Sequence, residues 1–135
     1  MQISASILNG DDKNCIKVTT NGDSKELAIP SKKAGNGSSI NGGELLFSAI
    51  ATCFCNDIYR EAAKRQMAIK SVEVFVSGEF GAEGDPGFNI QYEAKVVSDA
   101  TDDEIKSLIL YVDKIAEVHN TLRLGTSVLL KEFRK

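Results

Sequence analysis

One uninterrupted segment constrains this chain more than any other. Residues Glu44 to Gln66, ELLFSAIATCFCNDIYREAAKRQ, contain neither proline nor glycine. Nothing in them breaks a helix, which at ~1.5 Å per residue would run about 34 Å. Through the first half the apolar side chains point in every direction: Leu45, Leu46, Phe47, Ala49, Ile50, Ala51, Cys53, Phe54 and Cys55. A helix that is apolar all round must be covered all round. A chain of 135 residues with one small sheet has little to spare for that task. Arg60, Lys64 and Arg65 gather at the C-terminal end, where the helix dipole favours cations.

The flanking elements follow from period and punctuation. Ile3, Ala5 and Ile7, then Ile16 and Val18, then Leu27 and Ile29 alternate as in three short strands. Asn9-Gly10 and Asn21-Gly22 stand between them, and Asn-Gly tolerates the positive φ values of a tight hairpin. Pro30 to Gly43 is a long polar loop rich in Gly, Ser and Asn. It ends at Asn41-Gly-Gly-Glu44, a capping box for the long helix. Ser71–Phe80 and Phe88–Val97 alternate as two more strands, and Thr101-Asp-Asp-Glu104 caps a second helix bearing Ile105, Leu108, Ile109, Val112 and Ile115 on one face. Thr126 to Phe133 reads as a last strand. The expected order is βββ-α-ββ-α-β, an α+β fold of antiparallel sheet with helices on one side and residues 1–135 as a single domain.

Composition narrows the class. With 42% hydrophobic and 26% charged residues the chain has a globular balance. A net charge of −3 argues against nucleic acid or an anionic membrane as partner. No apolar run reaches the ~18 residues of a membrane span. The first residues, MQISASILNGDDK, carry neither the basic nor the apolar part of a secretion signal. Three cysteines, an odd number, fit a reduced cytoplasmic setting better than a disulfide framework.

Few residues are equipped for chemistry. Cys53 and Cys55 point about 200° apart on a helix that turns ~100° per residue, so they cannot bridge each other or clasp one metal. Cys15 and Cys55 read as small buried hydrophobes. Cys53 differs because Asp57 stands one turn on and Glu44 opens the same helix. A mid-helix thiol gains little from the dipole, and an ionised Asp57 would raise its pKa. Activation would have to come from cations such as Lys32, Lys33 or Arg60, or from a partner subunit. His119, the lone histidine, reads as a capping or surface residue, with a Cys–His couple as the sharper alternative. No zinc-ligand spacing or phosphate loop is present, so neither metal nor cofactor is expected.

At Gly43-Glu-Leu-Leu-Phe-Ser-Ala-Ile-Ala-Thr-Cys-Phe54 the chain resembles the superfamily of osmotically inducible (OsmC) and organic hydroperoxide resistance (Ohr) proteins. Glu44 matches the family glutamate directly before Leu-Leu, and Cys53 matches the reactive cysteine. Ser71-Val-Glu-Val and Gly78-Glu79 are similar to the strand after that helix, and Asn120-Thr-Leu122 to the triplet after the second family cysteine. The resemblance implies an intertwined homodimer with long central helices packed together and sites at the subunit interface. It implies a thiol-dependent redox protein in which Cys53, the peroxidatic cysteine, reduces an organic hydroperoxide, with Glu44 and Asp57 lining the site.

The pattern is also incomplete. The family's second cysteine falls on Ala116 of Ala-Glu-Val-His-Asn-Thr-Leu, the glutamate that positions the catalytic arginine falls on Gly43, and Gln2 to Ile29 hold no arginine. An external thiol reductant would then have to resolve the oxidised cysteine. The same losses fit a different class, a non-catalytic dimer holding a small apolar ligand at the interface beside Phe47, Phe54 and Tyr59.

Overall fold

A computed structural model describes residues 1–10 and 13–131. The chain divides into two compact units, Met1–Leu45 and Leu46–Lys135.

In the first unit β1 (Ile3–Gly10), β2 (Lys13–Thr20) and β3 (Asp23–Leu27) form an antiparallel meander. Ile7 pairs with Ile16, and Ile16 with Leu27. Asn21 and Gly22 turn the second hairpin with φ of 48° and 93°, the left-handed values that Asn-Gly accepts. Asn9 and Gly10 are the last residues of β1 rather than a turn, and residues 11 and 12 lie outside the described residues. Ile16 is buried on one face of β2. Cys15, one residue out of phase, is therefore on the other face and exposed, which corrects its reading as a core residue. The polar loop is tied back to the sheet by two asparagines. Asn9 Oδ1 accepts from the Gly37 N–H at 2.8 Å, and Asn14 Nδ2 donates to the Ile29 carbonyl at 2.8 Å.

The long helix is α1, Gly42–Lys64. Its expected capping box forms: the Asn41 N–H donates to Glu44 Oε2 at 2.7 Å and the Glu44 N–H to Asn41 Oδ1 at 2.9 Å. The helix stops two residues before Gln66 because Gln66 turns left-handed, φ 58°, and the Met67 N–H returns to the Ala62 carbonyl.

In the second unit β4 (Ile69–Phe80) and β5 (Gly87–Ser98) make an antiparallel hairpin. Two helices cover one face of it. Phe54, Ile58 and Ala62 of α1 meet Leu108 and Val112 of α2 (Asp102–Ile115) and Ala116 just beyond it, over Val72, Val74, Tyr92, Ala94 and Val96. Gly78 is required here, since a Cβ on it would lie 2.7 Å from the Phe47 ring. Thr101 and Glu104 close the second expected capping box.

The C-terminal part departs from expectation. Ala116 is extended (φ −63°, ψ 110°) and a new helix, α3, runs over Glu117–Leu124. Residues 126–131 form no strand, and Glu132 and Phe133 lie outside the described residues. Val128, Leu129 and Leu130 are 92, 79 and 85% exposed. β-propensity makes a strand only where a neighbouring strand accepts its backbone bonds, and within the described residues none does. The order is βββ-α-ββ-α-α: the α+β class and the antiparallel sheets stand, and the last strand does not.

Candidate functional site

Helical periodicity places Cys53, Asp57 and Arg60 along one stripe of α1. The Cys53 thiol donates to Asp57 Oδ2 at 3.8 Å, and Asp57 Oδ1 accepts from Arg60 Nη1 at 2.7 Å. Asp57 is 3% exposed, whereas Arg60 is half in water. The extended Ala116 starts α3 so that its first residue, Glu117, joins them. One ligating atom from each of Cys53, Asp57 and Glu117 lies within 4.8 Å of the others. Such a set could hold a divalent cation, although Asp57 already carries a guanidinium that the cation would have to displace.

The electrostatics follow from this crowding. Burial is the largest influence on Cys53 and raises its pKa, the Val118 backbone hydrogen bond opposes this, and Asp57 and Glu117 raise it further. Asp57 is also raised, by burial first; Arg60 pulls it down and Glu117 up. The thiol and its neighbouring carboxylate are thus both held toward their protonated forms. Arg60 also donates through Nε to Glu61 Oε1 at 3.0 Å, and Lys64 Nζ lies 2.7 Å from the same oxygen. These two cations hold the buried Glu61 carboxyl below its usual range.

Of the three residues expected at the site, the structure brings Cys53 and Asp57 together. Glu44 belongs to the Met1–Leu45 unit, where its carboxylate caps α1. Cys55 is half-buried, and all three cysteines are free. Ala116, where the family has a second cysteine, is fully buried. His119 is not a surface residue: it is 5% exposed, with its ring 5.6 Å from that of Phe54 and 4.7 Å from that of Tyr92. Neither ring nitrogen has a partner among the described residues, so no Cys–His couple forms.

Glu117 was missed by motif reading although it stands inside a quoted motif. In Ala-Glu-Val-His-Asn-Thr-Leu it directly follows Ala116. Tyr92, Asp113 and Arg123 form a further polar group without such a signal. The Tyr92 hydroxyl donates to Asp113 Oδ1, which also accepts from Arg123 Nη2 at 2.5 Å.

A mid-helix thiol set against two carboxylates, above an antiparallel hairpin, defines an α+β protein with a polar cluster built on a cysteine. The sequence model of the family described as "OsmC-like protein" matches residues 35–131, and the chain belongs to that family. An OsmC-like protein from Mycoplasma pneumoniae is similar at 22% identity and a TM-score of 0.63, over 90% of this chain and 86% of that one. A hypothetical protein from Aquifex aeolicus gives 16% and 0.65, over 93% and 88%. An organic hydroperoxide resistance protein OsmC from Legionella pneumophila gives 19% and 0.59, over 91% and 90%. No curated protein matches. No helix among the described residues is long and apolar enough to cross a membrane.

Proposed function

We propose that this protein is a single-cysteine hydroperoxide reductase in which Asp57 serves Cys53 as general base and then general acid. The observation that carries the reading is the Cys53–Asp57 hydrogen bond, made by a carboxyl whose pKa is raised. A raised thiol pKa leaves little free thiolate at neutral pH, so the proton must leave as the sulfur attacks. Asp57 Oδ2, the acceptor of the thiol hydrogen bond, takes it. Sulfur then bonds to the terminal oxygen of ROOH, the O–O bond breaks, and the alkoxide RO⁻ takes the proton from Asp57. Cys53 is left as sulfenic acid and the peroxide as alcohol. With Ala116 in place of a second cysteine, an external thiol condenses with the sulfenic acid and releases water. A second thiol then reduces the mixed disulfide and regenerates Cys53.

The test is a stoichiometric pulse of cumene hydroperoxide followed by mass spectrometry with a sulfenic-acid trap. Trapped Cys53, with dithiothreitol-dependent peroxide consumption that Cys53→Ser abolishes, is the expected result. An untouched Cys53 would overturn the reading and leave the ligand-binding class as the alternative.

The assembly belongs to the same proposal. Ile3, Ile7 and Leu8 in the first unit, and Phe75 and Phe80 in the second, are each more than half exposed, apolar side chains that a second copy would cover. Sedimentation at micromolar concentration is expected to give twice 14.6 kDa, and a stable monomer would refute the dimer. Free thiols on such a protein suit a reducing compartment such as the cytoplasm.

A further inference from the structure

A second site lies apart from the thiol cluster. A cavity of about 270 Å³ opens between three elements of the Leu46–Lys135 unit, and Cys53 is not in its lining. Phe88, Ile90 and Tyr92 line it from alternate positions of β5, Ile50 from α1, and His119, Leu122 and Arg123 from one face of α3. Phe88, Ile90 and Leu122 stand 46, 37 and 41% exposed around its mouth, while His119 at its wall is 95% buried by the same measure, with 5% exposed.

That histidine is anomalous. A buried imidazole ordinarily finds partners for its donor and its acceptor. Both nitrogens of His119 are shielded from solvent and bonded to nothing among the described residues. Burial and the nearby Arg123 lower its pKa, so the ring is neutral at pH 7 and offers one N–H and one lone pair. A half-turn about χ2 exchanges each ring nitrogen for a carbon, and no hydrogen bond opposes it. The ring lines the cavity, so a ligand held there is the partner within reach of such a turn. Arg123 adds a cation at the same end. Three of its N–H groups go to the Asp113 carbonyl, Asp113 Oδ1 and Asn120 Oδ1, and guanidinium has five.

We infer that this cavity binds a small monocarboxylate with a hydrocarbon tail, the carboxylate meeting His119 and Arg123 and the tail lying on Ile50, Phe88, Ile90 and Leu122. The charge at the polar end and the apolar walls divide the ligand in that way. The volume is below the roughly 300–1,000 Å³ of drug-sized sites, which restricts the tail to a short one.

Because the chain has one histidine, the imidazole gives a single set of ring resonances in ¹⁵N-labelled protein. Sodium hexanoate is expected to shift them saturably at millimolar concentration, with hexanol at least tenfold weaker and acetate without effect. His119→Phe keeps a ring against Phe54 and Tyr92 and is expected to abolish binding in calorimetry. Leu122→Trp, which fills the cavity and leaves the imidazole in the chain, is expected to do the same should the first variant unfold. Ring resonances that hexanoate leaves unmoved would overturn the site. Resonances that follow protein concentration and ignore hexanoate would overturn it too, by showing that a second copy fills the cavity. Hexanol binding as tightly as hexanoate would overturn the carboxylate.

Discussion

Asp57 and Asp113 each sit on a helix of the same unit and each pairs with one arginine, yet their environments push them in opposite directions. Asp57 is 4% exposed at its side chain, and burial outweighs the Arg60 contact, so its pKa rises. Asp113 is 39% exposed; hydrogen bonds from Tyr92 and then Arg123 outweigh its modest burial, and its pKa falls. A second difference is what stands nearby. Glu117 adds like charge to the first site, whereas the second faces only donors among the causes that shift it. A carboxylate with donors to spare is held ionised and fastens the structure. One that is buried beside a thiol and another acid is held toward its protonated form and can accept and return a proton.

The largest expected effect breaks the first site at its centre. Asp57→Asn removes the negative charge that raises Cys53, so the alkylation midpoint of the thiol should move down. If Asp57 is the base, kcat/KM for cumene hydroperoxide should nevertheless fall by about 10²–10⁴-fold, the usual worth of a positioned acid–base group. The two measurements move in opposite senses only if proton transfer limits the reaction. A lower midpoint with faster peroxide consumption would show that Asp57 merely suppresses the thiolate.

How much of this contrast the amino-acid order discloses depends on sequence distance. α1 is legible because no breaker interrupts it, and both capping boxes because Asn41/Glu44 and Thr101/Glu104 are local patterns. The Cys53–Asp57 contact is legible for the same reason, as i and i+4 share a helix face. Glu117 reaches that pair only through the extended Ala116, a backbone choice that no nearby residue announces. The burial of His119 depends on Phe54 and Tyr92 from two other elements, and so could not be read from its neighbours. The apolar run at Val128–Leu130 has the composition of a strand without a pairing partner in the described residues, where composition alone misleads.

A smaller effect is expected from Arg60→Met. It keeps the aliphatic stem and strips the buried Asp57 of its cation. Since Arg60 is 46% exposed, solvent discounts the loss to about 1–2 kcal/mol. Asp57 already titrates high, and without Arg60 it titrates higher. A group whose folded pKa is raised contributes stability that is present below its unfolded value and lost as pH rises through the folded one. Urea midpoints should therefore show the variant penalised more at pH 8 than at pH 4. An equal penalty at both values would mean that Arg60 acts through packing alone.

Tyr92→Phe should give the smallest change and the sharpest control. It deletes the hydroxyl that donates to Asp113 and keeps the ring against Phe54 and His119. A lost hydrogen bond to a charged, partly exposed acceptor should cost about 1 kcal/mol at pH 7. Although the two carboxylates are shifted in opposite directions, this penalty, like that at Arg60, fades toward low pH. Asp113 has a depressed folded pKa, so its contribution is present above the unfolded value of about 3.9 and fades as pH falls through the folded one. The gap in urea midpoint between Tyr92→Phe and the parent should narrow below pH 4, where the parent loses the same interaction. Alkylation of Cys53 should be unchanged, because neither Tyr92 nor Asp113 is among the groups that shift the thiol. A shifted thiol midpoint in this variant would mean that the two carboxylate sites communicate through the shared Phe54–Tyr92 packing, and the contrast between them would no longer be one of independent environments.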